Sequence, residues 1–245
     1  MLYGRGMDRL APTRRPRGKA QGTQRWHALL FSHWEVDAAA LKPLVHERLT
    51  VDTFEGRAFV GVVAFTMQNV RPWSWLPALP GAREFYEINV RTYVHLDGTE
   101  PGIVFFSLDA SSSLAVLGAR WFWGLPYYRS QISFEGGWRA DRRWPGGASM
   151  RGFQARYETG QSLPASKEGT LEFFLAERYQ FYASTKGGGL KRARVHHPPY
   201  PLAAVPKAEV NASLLEPLGL NGRSRTPDYF SPGVDVEIFS LEDVP

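Results

Sequence analysis

Residues 111–129, SSSLAVLGARWFWGLPYYR, hold a helix start, a helix, a glycine stop and a proline that turns the chain into a strand. Ser111, Ser112 or Ser113 offers a side-chain oxygen to the free N–H groups of a first turn. Leu114, Leu117, Trp121 and Phe122 recur at helical spacing and form an apolar stripe. Gly118 admits a close neighbour, at a cost of about 1 kcal/mol of helix propensity. Gly124 suits a left-handed stop, and Pro126 pushes Leu125 into an extended shape. Tyr127 and Tyr128 then begin a strand and point to opposite faces, so one ring faces inward.

The chain around this stretch reads as strands. Residues 24–34 form the first ordered strand or a turn of helix, followed by a short helix capped by Asp37. Residues 51–54 and 58–67 read as a hairpin across Glu55-Gly56. Its second arm, AFVGVVAFTM, is apolar on both faces and so predicts a buried central strand in which Gly61 marks a bend. Residues 69–81 hold three prolines and two tryptophans, a loop that serves as a lid or as a core plug. In residues 85–94 one face carries Phe85, Glu87, Asn89, Arg91 and Tyr93. A charged pair at a two-residue period marks either a solvated face or the lining of a wet barrel interior. Residues 103–109 follow a turn at Asp97-Gly98, and two registers stay open. One puts Leu108 opposite Glu87. The other puts Asp109 there and gathers Glu87, Asn89, Arg91, Ser107 and Asp109 on one face.

Residues 131–134, 138–144 and 149–158 read as a meander with turns at Gly136-Gly137 and Pro145-Gly146-Gly147. Thr170 caps a helix over residues 171–177. Strands 179–184 and 190–197 flank a glycine hairpin signal, and residues 205–210 and 234–240 complete the set. The fold class is β-rich α+β: an antiparallel β-barrel or curved sheet with a few short helices.

Gly124-Leu125-Pro126-Tyr127-Tyr128-Arg129 after an apolar helix resembles the Gly-Phe-Pro-Lys-Lys segment of acetoacetate decarboxylase. In that family the first lysine forms a Schiff base with a ketone, and a glutamate of the active site precedes it at a distance similar to that at which Glu87 precedes Tyr127. The longer set LLFSHW, DTFEGRAFVGVVAF, EINVRTYV, VFFSLDA, GLPYYR, ERYQFYA and VHHPPYPL resembles a bacterial family, domain of unknown function 2071, across most of residues 23–240. The resemblance implies a single acetoacetate decarboxylase-like β domain over residues 23–245 with Glu87 inside it. The chemistry departs from that family, because Tyr127 and Tyr128 occupy the lysine positions and a phenol cannot form an imine. The six lysines, Lys19, Lys42, Lys167, Lys186, Lys191 and Lys207, all have polar, proline or glycine neighbours typical of surface. None has the desolvated or cationic setting that activates a Schiff-base lysine.

The net charge of +5 is carried by residues 1–22, where Arg5, Arg9, Arg14, Arg15, Arg17 and Lys19 face Asp8 alone. That stretch reads as a disordered basic tail, and the neutral remainder argues against nucleic-acid binding. Zero cysteines exclude disulfides and thiolate chemistry and fit a cytoplasmic setting. No apolar run reaches the roughly 18 residues of a membrane span. His196 and His197 are adjacent on a strand and point apart, so they do not share a metal; no metal and no cofactor is expected. A homo-oligomer is compatible with the sequence.

The candidate site is therefore Glu87 as acid or base, with Tyr127 or Tyr128 as hydrogen-bond donor. Asn89, Arg91, Ser107, Asp109, Arg178 and His196 are candidates to hold an unidentified small molecule, with a guanidinium gripping a carboxylate. Three functions follow: a barrel cavity that binds a carboxylate or keto-acid-like molecule, a lysine-independent enzyme for enolisation, hydration or lyase chemistry, or a structural protein with a filled barrel.

Overall fold

The computed structural model describes residues 7–75, 84–117, 124–143, 150–185, 187–220 and 224–245. The strands are β1 (Gly22–Val36), β2 (Leu49–Val51), β3 (Ala58–Arg71), β4 (Glu84–Leu96), β5 (Thr99–Ala110), β6 (Tyr127–Arg129), β7 (Gln131–Phe134), β8 (Trp138–Arg143), β9 (Met150–Glu158), β10 (Gln180–Ser184), β11 (Leu190–His196), β12 (Ala203–Val205), β13 (Lys207–Asn211), β14 (Ser224–Arg225), β15 (Asp228–Ile238) and β16 (Glu242–Asp243). The helices are α1 (Ala38–Leu41), α2 (residues 113–117) and α3 (Leu171–Ala176). Asp37 caps α1 by accepting from the Ala39 N–H, and Thr170 caps α3 by accepting from that of Phe173. Trp121, Phe122, the aromatic loop beyond Trp75, Lys186 and the turn at Pro145-Gly146-Gly147 lie outside the described residues.

Strands β15, β1, β3, β4, β5, β10 and β11 hydrogen-bond in that order, and β11 returns to β15 through Val195↔Ile238 and His196↔Glu237. The sheet is thus a closed ring, antiparallel except where β10 and β6 run parallel to β5. A second sheet, β13-β9-β8-β7, covers part of its outer wall. Trp138, Ala140, Phe153 and Ala155 of that sheet share a core with Val60, Val62, Ile88 and Val90. Leu29, Phe31, Val63, Phe65 and Tyr93 face a separate core inside the ring. This is why AFVGVVAFTM is apolar on both faces: β3 is a wall between two cores and is buried along its whole apolar length.

Three sequence expectations change. The segment before Glu55-Gly56 makes the tight turn, with a Phe54↔Arg57 bridge, but β2 pairs with β4 rather than β3. Both edges of β3 are already occupied by β1 and β4. The expected strand 205–210 breaks at Pro206 and serves both sheets, β12 in the barrel and β13 in the cover. Residues 7–21 of the expected disordered tail pack on the body instead. Arg9 forks onto Asp52 with two bonds of 2.7 Å, and Arg15 onto Glu237 at 2.6 and 2.8 Å. Counting charge along the chain cannot reveal which distant carboxylates those arginines meet.

Gly61 also has a different reason from a bend. It sits opposite His33 in the β1–β3 register, and an added Cβ would lie 2.7 Å from His33 Cδ2 and 2.9 Å from Nε2. The missing side chain is the space for the imidazole, which reaches the Tyr93 hydroxyl at 2.6 Å. Gly61→Ala is expected to push the ring off Tyr93 and to lower unfolding stability by about 1–3 kcal/mol in chemical denaturation. An unchanged midpoint and slope would mean that the ring has room to move.

Candidate functional site

The inward face of β4 supplies most of the site. Glu87, Asn89, Arg91 and Tyr93 alternate with Ile88, Val90 and Thr92, and all seven are buried. The first three line a cavity of about 100 Å³ inside the barrel, together with Trp26, Phe31 and Tyr127. That space exceeds what one water needs, about 10–15 Å³ on the same measure.

The β4–β5 register decides which partners join them, and it matches neither expectation at Glu87. The loop Asp97-Gly98 is a two-residue turn with φ of 50° and 72°, the left-handed pair that a tight hairpin requires. An extra residue then enters β5 at Glu100, between Leu96↔Thr99 and His95↔Pro101. A second enters at Phe106, between Arg91↔Phe105 and Val90↔Ser107. Glu87 therefore pairs with Ala110. Two extra residues restore the original parity, so Leu108 faces in while Ser107 and Asp109 face out. Parallel pairing of β6 with β5 sets Tyr127 beside Leu108 and Tyr128 beside Asp109. Tyr127 enters the barrel and Tyr128 leaves it.

Inside, the Tyr127 hydroxyl donates to Glu87 Oε2 at 2.9 Å. The neighbouring Asn89 amide favours the charged form of the Glu87 carboxyl. Burial pushes the Glu87 carboxyl up to about 7, opposed by the Tyr127 bond and assisted by the nearby Asp109 charge. Burial and then the Glu87 charge hold the Tyr127 phenol well above its ordinary range. It stays protonated at neutral pH.

Arg91 lies deeper. Its Nη2 donates to the Leu175 carbonyl at 2.9 Å, near the end of α3, and its guanidinium lies 5.7 Å from the ring centres of Phe31 and Tyr93. The Tyr93 hydroxyl donates to the same carbonyl at 2.8 Å and so accepts from His33 Nε2. Burial, then the Arg91 charge, keeps His33 neutral. Among the described residues no carboxylate lies within ion-pair distance of Arg91, and its Nε–H has no protein partner. Arg178 reaches the same cavity but is paired. Its Nη1 meets Asp52 at 3.0 Å and its Nε the Phe174 carbonyl at 2.8 Å, while Nη2 is unpartnered. Burial acts to raise the Asp52 carboxyl, and the Arg9 bond with the charges of Arg178 and Arg9 outweighs it, leaving Asp52 below its usual value.

The remaining candidates fall outside the cavity. Asp109 accepts from Ser130 Oγ at 2.5 Å and from Ser107 Oγ at 3.4 Å, and it faces Arg142 at 3.3 Å. The Arg142 guanidinium covers the Tyr128 ring at 4.2 Å. Ser107, Asp109 and Tyr128 thus fasten β8 of the cover to the barrel. His196 is half-buried over an outer groove beside Arg25, Asp235 and Glu237, because strand alternation gives Val195 the inward place. Sequence reading missed Trp26 and Asp52. Trp26 escapes a two-residue period because β1 shifts register between His27 and Leu30, where Ala28 adopts φ 53°. Among the described residues no cluster of three metal-ligating side chains occurs, and no helix is long and apolar enough to cross a membrane.

The raised Glu87 carboxyl makes a pH prediction. Between about pH 4.5 and about 7 the folded protein holds a proton on Glu87 that the unfolded chain releases. That proton's contribution to stability is full at the acid end of the window and is lost as pH rises through 7. Glu87→Gln keeps the group neutral. It should leave stability near pH 5 little changed and raise it at pH 8, by up to ~3 kcal/mol at 1.36 kcal/mol per pKa unit. Paired denaturation curves at the two pH values check this; equal differences at both would show that Glu87 ionises normally.

Comparison with known proteins fits this architecture. The DUF2071 family model, described as an uncharacterized conserved protein, matches residues 23–235. The uncharacterized protein YqjF of Bacillus subtilis (strain 168) is 39% identical over 182 residues, covering 72% of this chain and 73% of that protein. The enduracididine biosynthesis enzyme MppR, solved complexed with pyruvate, superposes with a TM-score of 0.63 at 10% identity, covering 93% of this chain and 91% of that one. Acetoacetate decarboxylase from Legionella pneumophila gives 0.61 at 14% identity, covering 97% and 94%. At such identities the structural likeness is one of fold. With a family match across most of its length and the ring-like sheet of the decarboxylase structures, the chain belongs to the DUF2071 family and has the acetoacetate decarboxylase-like fold.

Proposed function

We propose that the barrel cavity binds a small carboxylate and that it does so without imine chemistry. The observation that carries this reading is Arg91, a 7% exposed guanidinium with no carboxylate partner among the described residues. A buried charge is costly unless paired, and a ligand carboxylate supplies the missing partner through charge-assisted bonds. The unpartnered Trp26 Nε1–H and Arg178 Nη2 line the same cavity and add donors. The pyruvate bound in the MppR structure is a ligand of the same class in a barrel of the same fold. Tyr127 and Tyr128 stand at the lysine positions, and no lysine is among the described cavity-lining residues.

A second reading follows from the Glu87–Tyr127 pair. A carboxyl that titrates near neutrality can take or give a proton, and a protonated phenol can steady a developing oxyanion. That arrangement suits enolisation, hydration or lyase chemistry on the bound acid.

Thermal-shift titration with short carboxylic acids tests the binding reading. The wild-type melting temperature should rise with acid concentration, and Arg91→Met should lose at least tenfold in affinity, about 1.4 kcal/mol. A wild-type protein indifferent to every acid, or an Arg91→Met variant that binds as well, would contradict it.

A further inference from the structure

The cavity's donors and acceptors are not evenly spread, and one acceptor is fixed in place by its neighbours. The Glu87 carboxylate accepts the Tyr127 hydroxyl at 2.9 Å, and the Asn89 amide beside it favours the carboxylate's charged form. An ionised carboxylate only accepts, so the Asn89 amide is better placed with Nδ2, not Oδ1, on the Glu87 side. Its Oδ1 is then left for the cavity, where it is buried and has no protein partner; Asn89 is 5% exposed. Flipping the amide would set Oδ1 against the carboxylate. One residue pair further along the same face, Arg91 offers an unpartnered Nε–H, and Trp26 an unpartnered Nε1–H. The wall thus presents donors at one place and, next to them, a lone acceptor.

We propose, resting on the carboxylate reading above, that the cavity selects hydroxy acids over keto acids, with Asn89 Oδ1 accepting the hydroxyl proton beside the Arg91-bound carboxylate. A 2-oxo acid turns a carbonyl oxygen toward Oδ1, so two acceptors meet in a buried site and neither is satisfied by the other. A 2-hydroxy acid of the same size donates there. The hydroxyl suits the neutral amide and the surrounding apolar wall of Phe31, Val63 and Leu108. Glu87 acts here as a positioning residue that fixes which end of the Asn89 amide the ligand meets.

Calorimetric titration of the full chain at pH 8 with lactate, both enantiomers, and with pyruvate tests this. One lactate enantiomer should bind about tenfold or more tightly than pyruvate, the factor expected when a buried acceptor is left unmade. Glu87→Gln supplies the sharper test. Its amide can accept from Tyr127 and donate to Asn89 Oδ1, which turns Asn89 Nδ2 to the cavity, so the preference should invert toward pyruvate. Asn89→Ala should bring the two acids to near-equal affinity while Arg91 still holds both. Pyruvate binding as tightly as lactate to the wild-type protein, or a Glu87→Gln variant that folds and keeps the wild-type preference, overturns the inference and leaves the carboxylate reading standing. Binding of neither acid, nor of any other short carboxylate, overturns both.

Discussion

A guanidinium held inside a closed sheet, without a counter-charge among the described residues, is the constraint around which the rest is arranged. Arg91 satisfies one of its N–H groups on the Leu175 carbonyl and rests near two aromatic rings. Neither partner neutralises it. Removing a cation from water costs several kcal/mol after relaxation. The neighbourhood is arranged to keep the charge where it is: His33 is held neutral beside it, and the buried acid Asp52 is already shared by Arg178 and Arg9. Glu87, the remaining acid on that face, is pushed toward its neutral form and engaged by Tyr127 and Asn89. Among the described residues the interior therefore holds a cation that no carboxylate pairs.

The scaffold explains how such a face can be rigid. β4 is packed on one side by the cover sheet and on the other by the barrel core, so its alternation cannot slip without exposing Ile88 and Val90. Two extra residues in β5, at Glu100 and Phe106, keep parity while moving Asp109 to the outer side, where Arg142 and Ser130 satisfy it. A single insertion would have brought Asp109 inside and supplied Arg91's face with a second acid. Helix α3 contributes through its end: the free Phe174 and Leu175 carbonyls receive Arg178 and Arg91 with Tyr93, which a short helix leaves available.

Much of this was legible in the sequence where local rules govern. The two-residue period of residues 85–94 assigns Glu87, Asn89 and Arg91 to one face, and Pro126 forces the Tyr127/Tyr128 split. The caps at Asp37 and Thr170 follow from side-chain chemistry alone. What was not legible depends on distant partners or on irregular backbone. The insertion at Phe106 has no glycine or proline beside it, and Pro101 and Gly102 beside Glu100 read equally as part of the turn after Asp97-Gly98. Trp26 is inward only because β1 shifts register near Ala28. The Arg9–Asp52 fork and the separate cover sheet join segments whose pairing no periodicity encodes. The resemblance to acetoacetate decarboxylase pointed to Glu87 on the inward face and to the strand that carries Tyr127 and Tyr128.

The most direct test is a crystal structure of the protein grown in lactate, refined with attention to the side chains around Arg91. A carboxylate bonded to the Arg91 guanidinium within the barrel, with Glu87 still bonded to Tyr127, is the predicted result. An interior closed by protein side chains, or an Arg91 turned into a direct ion pair with Glu87, would contradict the account.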